Sequence, residues 1–169
     1  ELIDSEKEIS ENVMIVDLVR NDLSITACKA SVKVDELCGI YTFKKVHQMI
    51  STVSSKVDDK TNFSQILKSV FPMGSMTGVP KLRAMEIIEE LEEFKRGIFS
   101  GAIGYITPKG DFDFNVVIRT ILYNSSSKYL SVAVGGAITI KSDADEEYEE
   151  CLVKVRPIFE VLNFQFDEK

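Results

Sequence analysis

The sequence predicts an α/β protein of the α+β type, with a mostly antiparallel sheet flanked by helices. Three observations lead there. Apolar residues recur at helical spacing near both ends of the 169-residue chain. Between those ends lie short runs rich in β-branched residues, broken by turn formers. One turn, Lys109-Gly110, joins two such runs as a hairpin, which makes them antiparallel neighbours.

The elements follow in order. Ser5 to Asp22 reads as a helix, because Ser5 and Glu8 have capping-box spacing and Ile9, Val13, Met14 and Val16 form a broad apolar stripe. Val32 to Leu37 and Val46 to Val57 read as strands. Asn62 can cap a short helix over Phe63 to Val70. Pro72, Gly74 and Gly78 exclude regular structure between Phe71 and Val79. Pro80 suits the first turn of a helix carrying Leu82, Met85, Ile88 and Leu91. Ser100 to Thr107 is a strand, and Phe112 to Leu122 returns beside it. That strand sets Phe112, Phe114, Val116 and Ile118 on one face, and Asn115, Val117 and Arg119 on the other. Tyr129 to Val134 follows, ending at Gly135-Gly136. The last helix starts near Asp143, with Glu146 at capping-box spacing. Tyr148, Cys151, Val155, Ile158 and Leu162 should face a core. With no repeat or low-complexity linker, the chain reads as one continuous unit, long enough to bury a sizeable core.

Composition excludes several functions. No apolar run is long enough to span a bilayer, and no signal peptide pattern opens the chain. Glu1 in place of Met suggests a processed product or an excised segment. Twenty basic against 27 acidic residues give a net charge of −7, which argues against a general nucleic-acid binder. Cys28, Cys38 and Cys151 are scattered and odd in number, so a reducing, cytoplasmic setting is expected. His47 is the only histidine, which argues against a zinc site. Any metal would be a hard cation on carboxylate oxygens.

Eight of nine glycines and three of four prolines lie between Pro72 and Gly136, so close backbone approach to a ligand is sought there. Phe71 to Lys81 places glycines and hydroxyls just before a helix N-terminus, which suits either an anion or a structural turn. Gly135-Gly136 could offer N–H groups to a carboxylate. Arg119 is either a solvated strand residue or a bidentate carboxylate clamp. Glu8 and Glu11 share one helix face, and Glu147 and Glu150 another, with Lys154 one turn beyond Glu150. Taken alone these carboxylates, like Asp17 and Asp22, read as solvated. His47 is either a general acid or base or a structural strand residue.

Five motifs change the weighing. Glu11-Asn-Val-Met-Ile-Val-Asp-Leu-Val-Arg-Asn-Asp22 comes first, and Phe71-Pro-Met-Gly-Ser-Met-Thr-Gly-Val-Pro-Lys-Leu-Arg-Ala-Met85 second. Arg96-Gly-Ile-Phe-Ser-Gly-Ala-Ile-Gly-Tyr105 and Val117-Ile-Arg-Thr120 follow. Gly135-Gly-Ala-Ile with Glu147-Tyr-Glu-Glu150 closes the set. In this order they resemble the chorismate-utilising enzymes, a family that includes anthranilate synthase component I, aminodeoxychorismate synthase component I and the isochorismate synthases. The resemblance implies part of the anthranilate-synthase-like chorismate-binding fold, with chorismate as substrate and Mg2+ as cofactor. By motif it assigns Glu11 and Glu150 as magnesium ligands that share one ion, with Glu147 a nearby candidate. Tyr105 and Arg119 would hold a substrate carboxylate, and Gly135 and Gly136 would supply backbone donors to it. His47 would lie near the reacting ring carbon, and Lys154 close to metal and substrate. Ser75 and Thr77 would handle the incoming nucleophile.

Gly-Ser-Met-Thr-Gly at 74–78 resembles the aminodeoxychorismate branch more than the Gly-Thr-Leu-Ser-Gly wording frequent in anthranilate synthases. Both branches take ammonia from a glutamine amidotransferase subunit. The alternatives are the anthranilate branch and a non-catalytic chorismate-binding fragment. Relatives in this family are more than twice as long. A Pro-Ile-Lys-Gly-Thr motif, whose lysine serves as a covalent nucleophile in the aminodeoxychorismate branch, does not occur in this sequence. Residues 1–169 are therefore expected to be the C-terminal portion of the chorismate-binding domain, inactive alone. Without its other half, such a piece would leave an apolar face exposed.

Overall fold

A computed structural model of the chain describes residues 5–44 and 46–164. The chain divides into two compact units, Glu1–Glu93 and Phe94–Lys169, where the sequence reading draws no boundary.

In the first unit, α1 (Glu6–Ser24) begins at Ser5, whose hydroxyl accepts from the Glu8 N–H. Strands β1 (Lys33–Thr42) and β2 (His47–Ser54) form an antiparallel ribbon in register from Lys33↔Ser54 to Thr42↔His47. β1 runs five residues past its expected end at Leu37. The register shifts between Glu36 and Gly39 absorb Cys38, which takes a left-handed φ of 54°. A local reading sees Cys38-Gly39 as an interruption; cross-strand pairing carries the strand through it. α1 lies on this ribbon with Val16 and Leu18 buried. Asn12 Oδ1 accepts from the Ser51 hydroxyl, and Ser51 Oγ accepts from the Cys38 N–H at 2.8 Å. Polar contacts thus fix α1 on the ribbon beside Glu11. α2 (Phe63–Val70) carries the reciprocal Asn62–Gln65 capping box. A 3₁₀ turn at Gly74–Met76 leads to α3 (Lys81–Leu91), with Pro80 at the cap position.

In the second unit, β3 (Ala102–Ile106) and β4 (Phe112–Val116) form a hairpin in register from Ala102↔Val116 to Ile106↔Phe112. β5 (Ile121–Asn124) and β6 (Tyr129–Val132) form another. The expected strand from Phe112 to Leu122 is therefore two strands. Val117 is buried and still pairs, donating to Gly101 O and accepting from Ser100 N. The chain then folds on itself as the Ile118 N–H reaches Val116 O and the Thr120 hydroxyl reaches Ile118 O. β-branched residues on both sides hide this break from a local reading. The strand ending at Val134 stops instead at Val132. α4 (Ala144–Leu162) starts on Asp143, whose carboxylate accepts from the N–H groups of Asp145 and Glu146. Pro157 lies inside it, so the Val153 carbonyl lacks its usual helical donor.

The buried apolar core is small. Among the described residues it comprises Val16 and Leu18 in the first unit, and Val117, Val155 and Ile158 in the second. On α4, Val155 and Ile158 face inward as expected, whereas Tyr148 and Leu162 are exposed. α3 buries none of its residues, and its Leu82 is 77% exposed. Among the described residues, the expectation of a sizeable core is not met.

Candidate functional site

A polar constellation lies in the second unit, where the segment after β6 meets the start of α4. Glu147, Glu150 and Lys154 are spaced by three and four residues, so α-helical geometry puts them on one face. Lys154 Nζ pairs with Glu150 Oε1 at 2.5 Å and donates to the Gly135 carbonyl at 2.9 Å. One ammonium therefore ties the glycine segment to the helix. Glu147 is only 5% exposed, and its Oε2 is shielded from solvent. A methyl placed on Gly136 would lie 3.0 Å from that oxygen and 3.8 Å from Glu150 Oε1. The hydrogen at Gly136 leaves Glu147 its place; a methyl would press its carboxylate back by a few tenths of an ångström while keeping ordinary contact with Glu150. Glu147 also sits in the first turn of α4, where the helix dipole favours negative charge.

The structure thus brings together five expected residues: Gly135, Gly136, Glu147, Glu150 and Lys154. At Gly135 it is the carbonyl, rather than the expected N–H donor, that is engaged. Arg119 departs from its expected place in mid-strand. It occupies the exposed bend between β4 and β5 with a φ of 50°. Tyr105 is in β3, 62% exposed, opposite Asp113.

In the first unit, Glu11 is half-buried on α1, with Oε1 shielded from solvent. His47 is exposed at the start of β2, with Nδ1 3.0 Å from the Thr42 hydroxyl. Ser75 and Thr77 differ. Ser75 is exposed in the 3₁₀ turn, whereas the Thr77 hydroxyl donates to the carbonyls of Met73 (3.1 Å) and Gly74 (3.3 Å). Thr77 thus closes the turn on which Ser75 is displayed. Within neither unit do three or more His, Cys, Asp or Glu side chains gather as a metal cluster among the described residues. The cysteines are free thiols.

Sequence reasoning missed one pair. Asp22, read as solvated, is 5% exposed and pairs with Lys81 Nζ at 2.5 Å. No local spacing signals a contact between residues 59 positions apart. Only their shared presence in two of the quoted motifs offered a hint. Asp17, by contrast, is exposed as expected and pairs with Arg20.

Comparison with known proteins identifies the family. The profile of the chorismate binding enzyme family matches residues 1–160. An aminodeoxychorismate synthase of Streptomyces griseus is 42% identical over 161 residues, which cover 95% of this chain and 22% of that protein. Aminodeoxychorismate synthase component 1 of Salmonella typhimurium is also 42% identical, over 95% of this chain and 35% of its own length. The chain therefore spans about a sixth to a third of the length of the curated relatives it matches. The crystal structure of anthranilate synthase component I from Streptococcus pneumoniae superposes with a TM-score of 0.81 at 36% identity, covering 92% of this chain and 35% of that one. A Bacillus anthracis structure described as a 2,3-dihydroxybenzoate-specific isochorismate synthase superposes at 0.85 over 98% of this chain and 43% of that one. At 22% identity it speaks to the fold alone. Among the described residues, no helix is long and apolar enough to cross a membrane.

Proposed function

The chain belongs to the chorismate binding enzyme family, and from that premise we propose that it is part of an aminodeoxychorismate synthase. The reaction replaces the ring hydroxyl of chorismate with an amine, giving 4-amino-4-deoxychorismate for 4-aminobenzoate and folate synthesis. Ammonia comes from a glutamine amidotransferase partner, and the setting is the cytoplasm, which suits three free thiols. The observation that carries the branch is the 42% identity, over 95% of this chain, to relatives bearing that name. The Gly-Ser-Met-Thr-Gly wording at 74–78 supports it.

The donor set on α4 fits a hard cation. Glu147 and Glu150 offer carboxylate oxygens on one helix face, beside a glycine that leaves them space. Such a site takes few protein ligands and fills the rest with water and substrate oxygens, as magnesium prefers. Glu11 is assigned to magnesium by its motif. When bound, magnesium would screen the carboxylates from the dianionic substrate and stabilise charge developing on the departing hydroxyl. The protein's own groups do the orienting. Lys154 holds the Gly135 carbonyl and Glu150 in one arrangement. Arg119, exposed at its bend, supplies a planar fork suited to a carboxylate, and Tyr105 a phenol for the same group. His47 can move a proton near the ring. Ser75 offers a hydroxyl to the incoming amine.

The test is a product assay on the full-length protein with chorismate, magnesium and ammonia. The expected product is 4-aminobenzoate, formed only when a separate lyase is added. Fluorescent anthranilate appearing without lyase would move the protein to the tryptophan branch. The 169-residue segment alone is expected to show no turnover, because it contains no Pro-Ile-Lys-Gly-Thr lysine.

A further inference from the structure

The pair formed by buried Asp22 and half-buried Lys81 is absorbed by none of the roles above. Lys81 opens α3, directly after the loop that carries Ser75. Its side chain is 19% exposed, and its ammonium makes two contacts: Asp22 Oδ2 near the end of α1, at 2.5 Å, and the Pro72 carbonyl at the loop's beginning, at 2.9 Å. A single group thus draws the loop's first and last residues together and pins both to α1. The loop's middle packs on the same helix, since a methyl added at Gly74 would lie 2.8 Å from Leu18 Cδ2. Thr77 closes the turn from within.

A charge pair with its carboxylate buried is a costly way to hold a loop. Apolar residues of similar volume would do as well for stability, and leaving one charge uncompensated is strongly destabilising. Its advantage is direction. An ammonium shared between a carboxylate and a carbonyl fixes where the loop sits as well as that it is held.

We propose that Lys81 is a positioning residue for amination, holding the Ser75 turn against α1 through Asp22 and Pro72. The proposal rests on the reading that this loop handles the incoming amine. It predicts a defect confined to the amine. In the full-length protein, Lys81→Met lowers kcat/KM for ammonia about tenfold, the scale of a small misplacement of a reacting group, with KM for chorismate within about twofold of wild type. Hydrogen exchange of the amides of Met76 and Thr77, which now bond within the turn, becomes faster. The double variant Asp22→Asn with Lys81→Met removes the uncompensated charge, so it regains thermal stability relative to Lys81→Met. It still leaves the Pro72 carbonyl unheld, so the ammonia defect persists. Arg83→Met, which removes an exposed cation from the same helix, leaves exchange and kinetics as in wild type.

Unchanged exchange in Lys81→Met would overturn the proposal. So would ammonia kinetics that recover together with stability in the double variant, since the pair would then be structural only. If the wild-type protein transforms chorismate without incorporating ammonia, the proposed function fails and the amine role of Lys81 falls with it. Exchange then still reports whether the loop is anchored.

Discussion

A single methyl group at Gly136 probes the carboxylate cluster. Alanine there brings a carbon to 3.0 Å from Glu147 Oε2. Ordinary contacts begin near 3.4 Å, so the oxygen must retreat by a few tenths of an ångström. Glu147 is 5% exposed and set on a capped helix, so the retreat is expected to turn a side-chain torsion off a staggered value. Such a twist costs about 1 kcal/mol. Backbone strain adds nothing, because Gly136 is not among the left-handed glycines. Two readouts follow. The full-length variant should melt about 2–4 °C lower, the shift expected for 1 kcal/mol in a chain of a few hundred residues. The magnesium concentration for half-maximal turnover should rise about tenfold, as when a ligand is displaced by its supporting shell. Gly135→Ala is the control, since nothing lies within 4 Å of a methyl at that position. Its magnesium requirement should stay within about twofold of wild type. If the two alanine variants require the same magnesium concentration, Gly136 is not spacing a metal-binding carboxylate, and the argument fails.

Other outcomes test the remaining geometry. Lys154→Met should cost only about 1 kcal/mol in chemical denaturation, because the pair it breaks is partly exposed and screened while the carbonyl bond is worth about as much; a loss several times larger would mean the ammonium is far better shielded. Gly104→Ala puts a carbon 2.0 Å from the Asp113 carbonyl, so it should destabilise by about 3 kcal/mol in thermal melts; an unchanged melt would refute the β3–β4 register. The Tyr41 phenol donates to Glu36, and that bond together with the carboxylate's charge raises its pKa above the usual 10.0. A group raised on folding stabilises below its unfolded pKa and loses that contribution as pH climbs through the folded value. Ultraviolet difference titration of Glu36→Gln should therefore show one tyrosine ionising at lower pH than in the parent.

Legibility followed the range of the interaction. Asn62 with Gln65 and Asp143 with its first-turn amides lie three residues apart or fewer, and both helices begin where the sequence places them. The clustering of Glu147, Glu150 and Lys154 follows from helical period alone. The break after Val116 was hidden, because Val117, Ile118, Ile121 and Leu122 keep a strand's composition while the chain turns back on itself. Arg119 therefore moved from a strand face to a bend. Asp22 was misread for the converse reason: its partner lies on another element, and charge alone suggested water. The site glycines were legible as glycines. That Gly136 spaces a carboxylate depends on a meeting of two segments that only folding creates.

The hydroxyl of Thr77 has an evolutionary consequence. Gly-Ser-Met-Thr-Gly and Gly-Thr-Leu-Ser-Gly both carry a hydroxyl at each of the two positions; apart from the central apolar residue, they trade a methyl group between them. The bond that closes the turn uses only the oxygen at 77, and serine supplies that oxygen as readily as threonine. A lineage could therefore pass from one wording to the other without ever opening the loop. Selection between the two would act on the bulk beside the oxygen exposed at 75, leaving the latch beneath it untouched.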